Sequence, residues 1–208
     1  MKKIAVLVSG VGTNLKVLID AIKDKKIKNG KIELVLSSNN TAKALEIAKK
    51  EKIKTLIVDR KSYKEKKEYD LKMLEELEKE KPDLIVLAGF MQIISKEIVK
   101  TFENKIINIH PSLIPSFCGA GLYGIKVHEK VIEKGVKITG ATVHFVTEEA
   151  DEGPIILQKS IKVKQEDTPK TLQERVKKEV EWKIYKKAVN LICLDKITVK
   201  NNKTYIKE

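Results

Sequence analysis

Apolar, β-branched runs of four to six residues recur along the first half of the chain, separated by stretches where lysine and glutamate alternate with apolar positions at helical spacing. The runs 3–8, 33–37, 55–58, 84–88 and 106–109 predict buried strands. Between them, 14–25, 41–51, 64–79 and 96–102 predict helices. In the first of these helices Leu15, Leu18, Ile19 and Ile22 form one apolar face. Strand-helix alternation of this kind predicts an α/β fold, a mostly parallel open twisted sheet flanked by helices.

The pattern changes after Pro111. Residues 111–124 form a long connection rich in proline and glycine, and a helix is expected over about 125–134. Two longer strands, 138–146 and 154–163, flank an acidic loop and predict an antiparallel addition. A helix over 169–192 follows, with Thr168 as N-cap and Pro169 at its first position. The segments 196–200 and 203–206, on either side of Asn201-Asn202, predict a small C-terminal hairpin.

A length of 208 residues suits one domain with a substantial core, and 42% apolar with 34% charged residues describes a globular protein. No apolar run approaches the ~20 residues of a membrane span. Met1-Lys2-Lys3 before an apolar stretch resembles the start of a signal peptide. The stretch enters Ser9-Gly10-Val11-Gly12 without a cleavage site, so a first buried strand and a cytoplasmic protein are expected. Cys118 and Cys193 are too few and too unpatterned for a disulfide framework or a zinc site.

The net charge is +13, from 42 basic and 29 acidic residues. Only Arg60 and Arg175 are arginines, and the lysines lie beside glutamates rather than in one block. Arginine supplies the planar fork that reads bases, so its scarcity argues against a dedicated nucleic-acid reader. The excess charge still attracts an anionic small substrate.

Three places carry candidate chemistry. Gly10-Val11-Gly12-Thr13-Asn14 follows the first strand and opens a helix, so the amides of Gly12, Thr13 and Asn14 can cradle a phosphate. Leu15 stands where a dinucleotide fingerprint needs glycine or alanine. A turn that merely needs its glycines is the alternative. Asn108 and His110, two apart on a strand, point the same way and can converge on one ligand atom, an amide and an imidazole suited to an oxyanion. The competing reading has His110 only satisfying a strand end. Asp151, in the loop ended by Gly153-Pro154, can favour the charged form of a nearby imidazole, or simply cap a turn. His128 and His144 read as structural, Ser112 lacks a nucleophile elbow, and the three histidines have no metal-ligand spacing, so no metal is expected.

Taken in order, Ser9–Asn14, Leu87–Met91, Asn108–Leu113, Gly140–Val146 and Asp151–Gln158 resemble the phosphoribosylglycinamide formyltransferases, folate-dependent enzymes of purine biosynthesis. The likeness runs from about residue 3 to 185. It implies a formyltransferase-like fold in one domain over 1–208, with a phosphate-binding half over about 1–105, a folate and catalytic half over about 106–192 and the hairpin over about 195–206. It implies formyl transfer from 10-formyltetrahydrofolate to glycinamide ribonucleotide, with no metal. Asn108, His110 and Asp151 match the catalytic trio, Gly12, Thr13 and Asn14 the phosphate site, and Glu181 a ribose contact. The folate site is expected to use Lys66, Met91, Gln92, Ile93 and Ile94 with Asn108 and the loop Thr147, Glu148, Glu149, Ala150 and Asp151. The partners implied are these small molecules, with no membrane or dedicated nucleic-acid partner and a monomer or homodimer.

The chain departs from the family pattern at three places. Gly119–Gly124 replaces a shorter proline-containing loop, Lys66 an arginine of some members, and Glu152 a smaller residue. Another folate-dependent formyltransferase, acting on methionyl-tRNA or an amino sugar, shares the trio's chemistry. A non-catalytic nucleotide- or RNA-binding module would answer to the basic charge.

Overall fold

The structure, a computed structural model, describes residues 1–207. It comprises two compact units, the first Met1–Ile107 and the second beginning at Asn108. In the first, β1 (Lys2–Val8), α1 (Thr13–Lys23), β2 (Gly30–Ser37), α2 (Lys43–Lys50), β3 (Lys54–Ile57), α3 (Lys66–Glu80), β4 (Leu84–Leu87) and α4 (Lys96–Thr101) follow one another. A 3-10 turn, Arg60–Ser62, precedes α3. All the strand pairs here are parallel: β1 with β2, β1 with β4, β2 with β3. Residues Ile4 to Val8 and Leu84 to Leu87 are buried without alternation, as strands covered on both faces require. On α1, Leu15, Leu18 and Ile19 are buried as the periodicity predicts; Ile22 is half-buried and Ala21 takes the inward place beside it.

Strand β5 (Ile106–His110) crosses from the first unit into the second. The second unit continues through α5 (Ile125–Glu133), β6 (Ile138–Phe145), β7 (Ile155–Lys162), α6 (Pro169–Val176) and α7 (Trp182–Cys193), and ends in the hairpin β8 (Ile197–Lys200) and β9 (Lys203–Ile206). Strands β6 and β7 are antiparallel, with a register shift between Val143 and His144. The order in the seven-stranded sheet is β3-β2-β1-β4-β5-β6-β7, mostly parallel with the antiparallel addition expected. Asn201 and Asn202, with φ of 48° and 56°, make the tight turn of the separate hairpin. Thr204 Oγ1 donates to the Ile155 carbonyl and ties that hairpin to the start of β7.

Thr168 caps α6 through its hydroxyl, reciprocated by Thr171, with Pro169 at the first position. The continuous helix expected over 169–192 is interrupted: Lys177–Glu181 form a π turn. One extra residue in the turn lets Val180 and Glu181 both face inward beside Val176 and Ile184. Apolar spacing alone does not reveal it, because Leu172, Val176, Val180, Ile184 and Ala188 keep a four-residue step through the interruption.

Candidate active site

In the second unit the end of β5, the end of β6 and two loops bring four polar side chains together. Asn108 and His110 leave β5 on one side, as the two-residue period predicts. His110 is 4% exposed; its Nε2 donates to the Phe117 carbonyl at 2.9 Å, and its Nδ1 faces Asp151 Oδ2 at 3.5 Å. Both ring nitrogens therefore face oxygen acceptors, and the doubly protonated ring is the form that donates to both. The expected pairing of His110 with Asp151 is present.

Asp151 is held from several sides. Its φ is 60°, a left-handed conformation that aspartate tolerates better than most residues. The Gly119 N–H donates to Oδ2 at 3.0 Å. Two residues on, a Cβ at Gly153 would lie 1.8 Å from the Phe145 carbonyl oxygen, so glycine alone lets the loop fold this tightly against β6. Burial opposes ionisation of Asp151. Hydrogen bonding to His144, the charge of His110 and the Gly119 amide outweigh it and hold the carboxyl below the ordinary aspartate value.

His144 is the residue that the sequence reading left as structural. Its Nδ1 donates to the Phe145 carbonyl at 2.9 Å, which turns Nε2 toward Asn108 Nδ2 at 3.5 Å and Asp151 Oδ1 at 3.6 Å. His144 stands where the register of β6 with β7 shifts by one residue, Ile156 of β7 being the extra one. In sequence it sits within an apolar strand and gives no local sign of this. Asn108, His110, His144 and Asp151 thus form one cluster of donors around a carboxylate, suited to stabilising negative charge on a carbonyl oxygen. His128, by contrast, is fully buried, and burial followed by the charges of Lys177 and His110 pushes its imidazole down to about 4. At neutral pH it is an uncharged core residue. Burial, Asp151 and Glu152 push the Cys118 thiol up, away from the thiolate a nucleophile needs.

The glycine turn stands in the first unit. Gly12 caps α1 with φ 85° and ψ 23°, and no side chain caps the helix. A Cβ at Gly12 would come 2.8 Å from Ala44 Cα, so the turn needs glycine for both its dihedral and its contact with α2. Lys16 N–H is the first in the helix to bond back, to the Gly12 carbonyl, and the amides before it have no acceptor within the helix, the condition under which a helix start can take an anion. Ser9 Oγ accepts from the Met91 N–H at 2.9 Å and pairs with Ser38 Oγ at 2.6 Å, tying this turn to the segment after β4. In that segment Met91 and Ile93 are exposed, Gln92 is half-buried and Ile94 is buried. Lys66 opens α3 and is engaged with Asp70 at 2.5 Å.

Glu181, in the π turn, is buried, and desolvation pushes its carboxyl up to about 7 despite the charge of Lys177. Thr147 to Ala150 form a loop, half-buried at Thr147 and exposed from Glu148 on, in which Thr147 Oγ1 donates to the Glu149 carbonyl. Among the described residues no helix is long and apolar enough to cross a membrane, and no group of three or more His, Cys, Asp or Glu side chains is placed to hold a metal ion.

A family model described as formyl transferase matches residues 2–189. The chain is 45% identical over 197 residues to the trifunctional purine biosynthetic protein adenosine-3 of Gallus gallus, covering 95% of this chain and 19% of that protein. It therefore spans about a fifth of the length of that relative. It is 38% identical over 206 residues to the phosphoribosylglycinamide formyltransferase of Haemophilus influenzae, covering 99% of this chain and 94% of that one. The crystal structure of glycinamide ribonucleotide transformylase 1 from Symbiobacterium toebii is similar with a TM-score of 0.92 and 36% identity, covering 100% of this chain and 95% of that one. By sequence match across nearly its whole length, the chain belongs to the formyl transferase family.

Proposed function

We propose that the protein transfers the formyl group of 10-formyltetrahydrofolate to the amine of 5′-phosphoribosylglycinamide, giving formylglycinamide ribonucleotide and tetrahydrofolate. The observation that carries this reading is the cluster of Asn108 and His110 beside an ionised Asp151. The neutral amine attacks the formyl carbon, and negative charge grows on the formyl oxygen. Asn108 Nδ2 donates to that oxygen, a contribution of the kind worth about 10²–10³ in rate, and the protonated His110 ring, held between Phe117 and Asp151, stabilises it by its charge. Asp151 favours the charged His110 ring and takes part in the proton's path. As the carbon–nitrogen bond to the folate breaks, the proton lost by the amine ends on the departing nitrogen. Joining two bound substrates in this way lowers the entropic barrier to their encounter.

In this reading the amides of Gly12, Thr13 and Asn14 hold the substrate phosphate and Glu181 contacts its ribose. The folate lies against Met91, Gln92, Ile93 and Ile94 and the loop from Thr147 to Asp151. Lys66 adds charge near the folate only by leaving Asp70. The curated relative from Haemophilus influenzae and the Symbiobacterium toebii structure carry names for this same reaction, which supports the choice of acceptor.

The test supplies purified protein with glycinamide ribonucleotide and 10-formyltetrahydrofolate and follows release of tetrahydrofolate. Turnover that depends on the ribonucleotide is expected. A folded protein that ignores this acceptor and formylates methionyl-tRNA or an amino sugar would overturn the assignment.

A further inference from the structure

One face of β6 holds the start of the loop that follows His110. Positions 140, 142 and 144 share that face by the two-residue period. Gly140 has Leu113 against it, where a Cβ would meet Leu113 Cδ2 at 2.8 Å. His144 meets Asn108 and Asp151. Thr142, between them and fully buried, makes three hydrogen bonds through one hydroxyl. It donates to the Ser112 carbonyl at 2.7 Å and accepts from the Ile114 N–H at 3.1 Å and from Gln158 Nε2 at 2.9 Å.

Gln158 lies directly opposite Thr142 on β7, and its second Nε2 hydrogen goes to the Ile114 carbonyl at 2.9 Å. The two side chains therefore hold the Ser112 carbonyl and both backbone groups of Ile114. The loop continues through Ser116, whose carbonyl accepts from Ser112 Oγ, to Phe117 and Gly119. Phe117 receives the His110 Nε2 proton and Gly119 donates to Asp151.

We propose that Thr142 and Gln158 act as positioning residues for the reaction: as a cross-strand clamp on Ser112 and Ile114 they set the Phe117 carbonyl, and through it the direction of the His110 ring. The clamp touches no substrate. It works because the Phe117 carbonyl can only accept, so Nε2 must carry a proton and Nδ1 is left for Asp151. Without the clamp the loop loses its registration on β6, the Phe117 carbonyl drifts, and His110 Nε2 loses its acceptor while Nδ1 still faces Asp151, so the ring is no longer held in one direction.

This proposal rests on the role given to His110, so its test reads the ring itself as well as turnover. Nitrogen-15 resonances of His110 distinguish the two tautomers and the charged ring. In Thr142→Val, a nearly isosteric change that deletes the hydroxyl, the His110 Nε2 resonance is expected to move toward that of a nitrogen without a fixed acceptor. Its kcat is expected to fall about 10- to 50-fold, with both KM values within about threefold of wild type, on the scale of a small misplacement of a reacting group. Thr142→Ser, which restores the hydroxyl, returns both readings close to wild type.

Gln158→Leu alters an exposed side chain and gives a smaller effect, about 3- to 10-fold. It carries the test should Thr142→Val fail to fold. Wild-type kcat with unmoved His110 resonances in a folded Thr142→Val, or in Gln158→Leu in its place, overturns the clamp. Full turnover in His110→Ala instead overturns the reading of His110, a separate result that the resonances of the unmutated ring do not depend on.

Discussion

At Asp151, burial and hydrogen bonding pull the carboxyl in opposite directions, and the hydrogen bonds prevail. An aspartate held below its ordinary value contributes stability that is present above 3.8 and lost as pH falls through its lowered folded value. Asn108 and His110 both stabilise the oxyanion in the proposed chemistry, so His110→Ala and Asn108→Ala are each expected to lower turnover at least ~10²-fold in steady-state assays. Near wild-type rates in either variant would remove that residue from the mechanism. Glu181 has the opposite sign. Its carboxyl is raised from 4.5 to about 7 by burial, so the unfolded chain releases this proton first and stability is lost as pH rises from about 4.5 to about 7. Replacing it by a neutral isostere removes that loss. Glu181→Gln is expected to be more stable than wild type at pH 8, by an amount on the order of 3 kcal/mol at most, and to converge with it toward pH 4.5 in thermal or denaturant unfolding. If the ribose contact is right, the same variant raises the ribonucleotide's KM at pH 8, where wild type presents a carboxylate.

The elements show why some of this was legible in the chain and some was not. Strand β1, the Gly10–Gly12 turn and the opening of α1 were readable together, because a buried run, two glycines and a helical apolar face lie side by side in sequence. The structure adds the reason Gly12 cannot change: a φ of 85° and a slot filled by Ala44 and Ile47. Gly12→Ala is expected to lower stability by roughly 1–3 kcal/mol in denaturant unfolding, through strain at positive φ and the clash with α2. It is also expected to raise the ribonucleotide's KM more than it lowers kcat. Thr168 and Pro169 at the start of α6, and Asn201-Asn202 in the hairpin, were local signals of the same sort. The π turn at Lys177–Glu181 and the surroundings of His144 are not. The π turn leaves the four-residue apolar step unbroken, and what surrounds His144 comes from segments distant in sequence. An alternating strand pattern assigns His144 a face but cannot show that Asn108 and Asp151 meet it there. The trio fared better because the spacing of Asn108 and His110 is itself a strand period, whereas Asp151 needed the family likeness to connect it to them.

Across the whole molecule, a net charge of +13 carried almost entirely by lysine belongs to a chain proposed to bind a phosphorylated substrate. Many of these lysines are tied locally to carboxylates, as Lys72 and Lys79 are to Glu75 and Glu76. The remaining excess acts at a distance and is screened by salt. Raising ionic strength from about 0.05 to 0.5 M is therefore expected to raise the ribonucleotide's KM severalfold with kcat little changed, since the Debye length shrinks well below the size of the protein. A KM indifferent to salt would confine recognition to short-range contacts. The chain also contains a single tryptophan, Trp182, immediately after Glu181, with an indole N–H that is buried and has no hydrogen-bond partner among the described residues. A carboxyl that changes charge near neutrality thus adjoins the only indole in 208 residues. The fold has in effect installed its own optical reporter. Tryptophan emission is expected to shift as pH passes through about 7, to lose that dependence in Glu181→Gln, and to follow ribonucleotide titration without any added label.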